Sequence, residues 1–245
     1  MAVTEEGQTD ERSFVLEGAR HRVEVVAPLF FFDLLGQTLT GWSIQPLESC
    51  DTPDLTIRKD GDDYVITSIL AKPVPVRRDL IDALNEVFLC LSYLITARTF
   101  GAYLLHCAAF RVDGVNILVF GKKNAGKSSL MLEKARQGAT ILADDLMMWL
   151  PQAAEVMCVG LPLRMRRPVL GLDHGAAVTP QFIADRQTAY AQKDVFQIAK
   201  AGLSFTPDKI CQLQNRQLVP VPFMQWPRVI AKHRISDDCI TLSAS

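Results

Sequence analysis

The feature that most constrains this chain is a glycine-rich loop, GKKNAGKS, at Gly121–Ser128. The run before it, Val115–Phe120, is short, apolar and rich in β-branched residues, as expected of a buried strand. The segment SSLMLEKARQ after it has helical character, and Gly138 is placed to end that helix. Such a loop between a strand and a helix is typical of phosphate-binding loops, because its N–H groups and the helix dipole attract an anion. A chance match in a lysine-rich loop is the alternative.

This loop predicts a bound nucleoside triphosphate with its metal ion. Lys127 is expected to neutralise the β- and γ-phosphates of ATP, and Ser128 to offer its hydroxyl to Mg²⁺. The two loop glycines permit a tight turn and a close approach of the backbone to phosphate. The predicted nucleotide-binding residues form one continuous segment: Gly121, Lys122, Lys123, Asn124, Ala125, Gly126, Lys127, Ser128 and Ser129.

A second apolar run, Tyr103–Phe110, precedes the loop strand and contains His106. The two runs are separated by Asp113-Gly114, a favoured two-residue hairpin turn. The strand that leads into the loop is therefore predicted to have an antiparallel partner. This differs from the usual phosphate-loop architecture, in which the neighbouring strands are parallel.

Two adjacent carboxylates, Asp144 and Asp145, follow the strand candidate Thr140–Ala143, one helix beyond the loop. Carboxylates at this place can meet the metal ion and the γ-phosphate of a nucleotide. Because side chains alternate along a strand, we expect the two to point in different directions. One could hold Mg²⁺ through water while the other faces an incoming hydroxyl. A solvated turn at the strand end is the alternative.

Three arginines, Arg164, Arg166 and Arg167, follow in the segment GLPLRMRRP. Guanidinium groups bind phosphate in a bidentate manner and stabilise charge in phosphoryl transfer. A solvated basic loop explains the same residues equally well, so the sequence leaves both interpretations open.

The rest of the chain predicts three regions. Residues 1–13 are polar and acidic and are expected to be a disordered tail. Residues 14–98 predict a small β-rich region, with a hairpin at KDGDD, followed by an amphipathic helix over Arg77–Arg98. Residues 99–245 hold the loop and are expected to form the nucleotide-binding domain, with partial helix at Ala184–Ala199 and edge strands or loops in the proline-rich segments beyond.

Composition excludes several function classes. A net charge of −1 gives no sign of a nucleic-acid-binding surface. The run Val87–Ile95 is shorter than the about 20 apolar residues that a membrane span needs, and the N-terminal residues lack signal-peptide features. The six cysteines are scattered without a C-x-x-C pair, which favours free thiols. We therefore expect a cytoplasmic protein with no membrane or nucleic-acid partner; a homo-oligomer is left open.

In order and spacing, His106, the loop Gly121–Ser128 and the pair Asp144-Asp145 resemble the core of the HPr kinase/phosphorylase family and its HPr-kinase-like relatives. In that family a histidine opens the strand before the loop strand, as in LLHCAAF here. A helix that ends in glycine then leads to an [Ile/Val]-Ala-Asp-Asp segment, as in ILADD. The match covers roughly residues 104–150, under a fifth of the chain.

The resemblance implies a mixed α/β fold related to phosphoenolpyruvate carboxykinase, and an ATP- and Mg²⁺-dependent kinase whose acceptor is a serine hydroxyl on a protein or peptide. It implies that Asp145 takes the proton from that hydroxyl, and that His106 and Asp144 lie near the transferred phosphate. The candidate catalytic residues are then His106, Lys127, Asp144 and Asp145, and the candidate metal ligands are Ser128 and Asp144.

Two other function classes stay open. Some small-molecule kinases also carry an acidic motif soon after the loop, but shikimate-kinase-like chains begin at the loop strand, whereas about a hundred residues precede it here. A nucleotide-binding regulatory module without transfer activity is the other class. It gains weight because GLPLRMRRP stands where the family carries a Glu-x-Arg-Gly signature.

Overall fold

The computed structural model describes residues 10–76, 80–167, 173–174, 177–178, 182–185 and 187–235. Within these ranges the protein is mixed α/β, with several sheets and few helices. Mixed α/β is the fold class that the sequence predicts.

The N-terminal part is a six-stranded sheet with two helices. Its elements are β1 (Glu11–Gly18), β2 (His21–Pro28), α1 (Leu29–Thr38), β3 (Ser43–Pro46), β4 (Leu55–Asp60), β5 (Asp63–Ser68), β6 (Ala71–Val76) and α2 (Leu80–Ala97). The strands are arranged in the order β3-β1-β2-β4-β5-β6, and β4 and β5 form the hairpin predicted at KDGDD. Because β1 begins at Glu11, residues 11–13 of the predicted tail are part of a strand, while residues 1–9 lie outside the described ranges.

Helix α1 lies in the region that the sequence predicts as β-rich, and it contains or adjoins two residues that are unfavourable inside helices, Pro28 and Asp33. In the structure Pro28 lies just before the first helical residue, where its fixed φ causes no clash, and Asp33 lies on the exposed face. The opposite face is buried through Phe31 and Leu35. A proline and a charge are therefore compatible with this helix because of where they fall in it.

The predicted helix over Arg77–Arg98 is confirmed as α2, while residues 77–79 lie outside the described ranges. By length and composition α2 is apolar enough to cross a membrane, but 67% of it is buried inside the fold. Its buried side chains, Leu84 and Leu91 among them, pack with Val25 and Ile57 of the sheet in one hydrophobic core.

The C-terminal part contains most of the short strands. Its elements are β7 (Tyr103–His106), β8 (Ala108–Val112), β9 (Val115–Phe120), α3 (Lys127–Arg136), β10 (Thr140–Ala143), β11 (Leu146–Leu150), β12 (Glu155–Cys158), β13 (Arg164–Arg166), β14 (Asp173–His174), β15 (Ala177–Val178), β16 (Phe182–Ala184), β17 (Thr188–Ala191), β18 (Ser204–Phe205), β19 (Lys209–Gln214), β20 (Gln217–Pro220), a 3₁₀ turn (Phe223–Gln225) and α4 (Trp226–Lys232).

These strands form two main sheets and two small ones. One main sheet has the order β10-β8-β9-β19-β20, with β9 and β19 parallel and the other neighbours antiparallel. The other is antiparallel, with the order β18-β12-β11-β7. The small sheets are β13-β17-β16 and β14-β15.

The hairpin predicted at Asp113-Gly114 is confirmed between β8 and β9. The partner strand predicted as one run, Tyr103–Phe110, is instead two strands. The chain leaves one main sheet after β7 and enters the other at β8, so His106 pairs with Leu146 of β11 and not with the loop strand. A continuous apolar run cannot reveal this crossing, because both halves are buried in the same way.

Two other predictions in this part are wrong. The stretch Ala184–Ala199, expected to be partly helical, holds β17 and turns among its described residues. The proline-rich stretch Gln225–Pro227, expected to be an edge strand or loop, instead opens helix α4, with Pro227 in its first turn, where the missing N–H costs nothing. The described cysteines are free thiols, as predicted: Cys50, Cys90, Cys107, Cys158 and Cys211.

The N- and C-terminal parts meet at Gly160, just after β12. Its carbonyl accepts a hydrogen bond from Thr40 N–H at 2.9 Å, and the Trp42 indole donates to the Val159 carbonyl at 2.8 Å. Gly160 has a φ of +78°, and a Cβ there would overlap the Thr40 carbonyl and lie 2.9 Å from the Ala201 backbone nitrogen. The junction therefore requires glycine for conformation and for space.

Gly160→Ala is expected to lower the free energy of unfolding by about 2–4 kcal/mol, because a backbone clash is added to the cost of a left-handed residue. Urea denaturation measures this. Gly114→Ala is the matched control, since Gly114 also has a positive φ but open space around it. It should cost only about 1–2 kcal/mol. Equal losses would show that Gly160 matters for its φ alone.

Candidate functional site

The glycine-rich loop joins β9 to α3, as the sequence predicts. Helix α3 begins at Lys127, one residue earlier than expected, and Gly126 precedes it with a φ of +95°. Within the loop, the Ala125 N–H donates to the Lys122 carbonyl at 3.1 Å. Met131 and Ala135 bury one face of α3 against Phe110 and Ile141 of the neighbouring sheet. The helix N-terminus, with its free N–H groups, is thereby held at the end of β9.

Lys127 is the buried cation of this loop. Only 7% of the residue is exposed, and its Nζ donates to the Gly121 carbonyl at 3.2 Å. An ammonium group is costly to bury unless it is paired. Here the loop's own carbonyl holds the side chain across the turn. Lys127 therefore presents a positive charge at a defined place.

His106 and Asp145 form a pair beside the loop. His106 is the last residue of β7, and Asp145 immediately precedes β11; these strands are neighbours. The His106 Nε2 lies 2.9 Å from Asp145 Oδ1, and the Cys107 N–H donates to the Asp145 carbonyl at 3.0 Å. The pair is reachable from solvent, with side-chain exposures of 38% and 44%.

Several groups act on the pKa of Asp145 in opposite directions. Burial alone raises it, but the hydrogen bond and charge of His106, together with the charges of Arg164 and Lys127, outweigh burial, so the pKa lies below its usual value. Asp145 is therefore ionised at neutral pH. It has the form that a base requires.

Asp144 has quite different surroundings from its neighbour. It is only 6% exposed, and its Oδ2 accepts a hydrogen bond from the Arg164 N–H at 2.9 Å. Burial raises its pKa to about 7, despite that hydrogen bond. Its Oδ1 is buried without a hydrogen-bond partner among the described residues. Ser128 is near enough to lower the pKa of this carboxyl group, but it makes no hydrogen bond of normal geometry to Oδ1.

This orphaned oxygen beside Ser128 fits a magnesium ion. Carboxylate and hydroxyl oxygens suit Mg²⁺, which usually takes few protein ligands and completes its shell with phosphate oxygens and water. In the described ranges, no cluster of three or more His, Cys, Asp or Glu side chains is arranged to hold a metal by itself. The residues present therefore suit a metal that arrives with a nucleotide.

A cavity of about 1000 Å³ brings these groups together. It is lined by His106, Asp145 and the loop from Lys123 to Ser129. Of the other residues predicted for the site, Gly121 contributes the carbonyl that holds Lys127, Lys122 is exposed to solvent, and Asp144 is buried and is not among the residues that line the cavity.

Positive charge dominates this cavity although the chain has a net charge of −1. Its described lining has two carboxylates, Glu133 and Asp145. The cations that line it are Lys123, Lys127, Arg136, Arg164 and Arg166. The third arginine of the basic segment, Arg167, instead donates to the Asp185 carbonyl. The cavity is thus suited to a polyanion.

Sequence reasoning missed the apolar wall of the cavity and a second histidine. Leu89 and Tyr93 come from α2, and Ile235 comes from the segment after α4. In that segment the His233 carbonyl accepts a hydrogen bond from the His106 backbone N–H at 3.1 Å. The imidazole ring of His233 stacks on the Phe120 ring, with centroids 4.6 Å apart. Burial, then the charges of His106 and nearby lysines, lower the pKa of His233. No motif marks these residues, because they reach the site through tertiary contacts.

No model of a known protein family matches this chain, and neither does any curated protein.

Asp144→Asn is expected to change how stability depends on pH. With a folded pKa of about 7 and an unfolded value near 3.9, the folded protein binds the extra proton between these values. Stability from this group is therefore present at low pH and lost as pH rises through 7. Between pH 5 and pH 8 the wild type should lose about 2–3 kcal/mol relative to the variant. Denaturant titrations across this range measure the difference. Parallel curves for the two proteins would contradict the buried, proton-binding state of Asp144.

Proposed function

We propose that this protein is an ATP- and Mg²⁺-dependent kinase of the HPr-kinase-like type, which transfers the γ-phosphate to a serine hydroxyl on a protein or peptide. The observation that carries the proposal is the His106–Asp145 pair, 2.9 Å apart, in the same cavity as the glycine-rich loop and Lys127. A phosphate-binding loop alone supports many activities. An ionised carboxylate facing the same cavity supports transfer to a hydroxyl.

The nucleotide is proposed to lie along the loop. The α3 N-terminus and the N–H groups around Gly126 favour its phosphates, and Lys127 neutralises the β- and γ-phosphates. Ser128 and Asp144 would hold the Mg²⁺ ion, which neutralises charge on the phosphates when bound. Metal binding favours the ionised form of Asp144, so it removes the cost of a buried carboxylate.

Asp145 is proposed to receive the proton of the acceptor hydroxyl. The acceptor oxygen bonds to the γ-phosphorus, the bond to the bridging oxygen breaks, and ADP leaves. His106 orients the carboxylate through the 2.9 Å contact. The lowered pKa makes Asp145 a weak base, which is sufficient because phosphoryl transfer depends mainly on positioning and charge neutralisation.

The fold is proposed to be the mixed-sheet kinase core that the resemblance implies. The loop strand β9 has an antiparallel neighbour, β8, on one side and a parallel neighbour, β19, on the other.

The acceptor is the open part of the proposal. Transfer of labelled phosphate from ATP into a size-fractionated cytoplasmic lysate distinguishes protein, peptide and metabolite acceptors, and labelling confined to metabolites would favour a small-molecule kinase.

Lys127→Ala is expected to abolish detectable ATP turnover and to weaken ATP binding, because it removes the buried cation at the β/γ-phosphates. Equilibrium binding of a fluorescent ATP analogue and release of labelled phosphate measure both effects. Lys123→Ala is the matched control: it removes an exposed loop cation and should reduce binding only a few-fold. Near-normal turnover by Lys127→Ala would reject the loop as the catalytic nucleotide site.

Asp145→Asn is expected to leave ATP and Mg²⁺ binding intact while transfer falls about 10²–10⁴-fold, because asparagine keeps the shape but accepts no proton. Single-turnover transfer and nucleotide affinity, measured across a Mg²⁺ series, separate the two effects. Asp144→Asn is the comparison, and it should lower Mg²⁺ affinity. If Asp145→Asn instead lost Mg²⁺ binding, with rate restored by added Mg²⁺, Asp145 would be a metal ligand and not the base.

A further inference from the structure

We propose that the Arg164 guanidinium binds the phosphate during its transfer and stabilises the charge of the transition state, while the backbone N–H of the same residue positions Asp144. This inference rests on the proposed kinase function. It assigns a role to one residue of the basic segment, for which the sequence left a solvated loop as an equal alternative.

Arg164 reaches the cavity from a defined place in the fold. It is the first residue of β13, and it pairs with Tyr190 of β17. The Tyr190 hydroxyl donates to Asn85 of α2 at 3.0 Å, which ties this small sheet to the N-terminal part. The Arg164 side chain therefore projects from a strand and not from a loose loop.

The guanidinium of Arg164 has an unsatisfied donor. Its Nε is buried and has no hydrogen-bond partner within the described part of the chain. Buried donors are nearly always satisfied, so this exception, in a residue that lines the cavity, indicates that the guanidinium group can take up a ligand that accepts hydrogen bonds. An anion with several oxygens, such as a phosphate, matches the planar fork of arginine.

The charge of Arg164 acts where the chemistry is proposed to occur. It lowers the pKa of Asp145, as Lys127 also does, and it lowers the pKa of Asp144. The proposed base is therefore within the field of two cations. A phosphate beside Asp145 would share that field, and the equatorial oxygens of the transferred group carry the charge that develops.

The other two arginines lack this combination. Arg166 lines the cavity but is exposed to solvent, and Arg167 donates to the Asp185 carbonyl. Arg164 alone of the three has a buried unpaired nitrogen and a backbone hydrogen bond to Asp144. Arg167→Met is therefore the matched control for substitutions at Arg164, because Arg167 belongs to the same segment but is not among the residues that line the cavity.

The test uses binding of a transition-state analogue, so it needs no identified acceptor. Calorimetry measures the affinity of the full chain for Mg²⁺·ADP, alone and with aluminium fluoride, which mimics the transferred phosphoryl group. We expect aluminium fluoride to tighten ADP binding to the wild type. In Arg164→Met this tightening should fall by about 100-fold, with ADP affinity changed only a few-fold. Arg167→Met should retain it.

Arg164→Lys is a second variant. Because it keeps the positive charge, it guards against the possibility that Arg164→Met fails to fold. It should also lose most of the tightening, because an ammonium group cannot form the bidentate contact. If the wild type binds no ADP, the proposed function itself fails. If it binds ADP and the Arg164 variants keep the full tightening, or the wild type shows none, the role of Arg164 is rejected while nucleotide binding stands.

Discussion

The candidate site depends on one hydrogen bond between two crossings of the chain. Two of the places where the chain passes between the main sheets meet here: it goes from β7 to β8 at Cys107, and from β10 to β11 at Asp144-Asp145. The Cys107 N–H donates to the Asp145 carbonyl at 3.0 Å, so the two crossings are joined. This contact places His106, the residue before one crossing, beside Asp145 in the other. The glycine-rich loop begins at the end of β9, and β9 pairs with β8. The loop therefore lines the same cavity as His106 and Asp145.

Adjacent carboxylates with opposite pKa shifts follow from this arrangement. Asp144 is buried, and its pKa rises to about 7. Asp145 is half-exposed and is surrounded by His106, Arg164 and Lys127, so its pKa falls. Two residues of the same type that are adjacent in the chain can thus serve different purposes. One holds a proton more readily because it is buried, and the other is ionised at neutral pH.

Elements outside the loop and the carboxylate pair also contribute to this site. Helix α2 supplies Leu89 and Tyr93 to the cavity wall, and the segment after α4 supplies Ile235. These side chains pack with Leu104 and Leu146 in one apolar cluster. The cavity that contains Asp145 is therefore lined by apolar groups as well as by cations. The N-terminal part is in this way a component of the site and not only a neighbour of it.

Local sequence determined the parts of the protein whose physics is local. The glycine spacing specified the loop, together with the strand β9 and the helix α3 that flank it. The Asp113-Gly114 pair specified the hairpin between β8 and β9. Hydrophobic periodicity likewise specified α2. In each case a backbone conformation or a buried face depends on residues within one element, so the pattern is readable.

Only the tertiary structure decided how these parts share one site. Nothing in the run Tyr103–Phe110 shows that it divides between two sheets, because burial on both sides of Cys107 hides the crossing. Contacts between residues distant in sequence decide three features of the site. They bury Asp144, they direct Arg164 and not Arg167 to the cavity, and they place His233 beside His106. Charge and desolvation at a site are sums over such contacts, which a one-dimensional pattern does not contain.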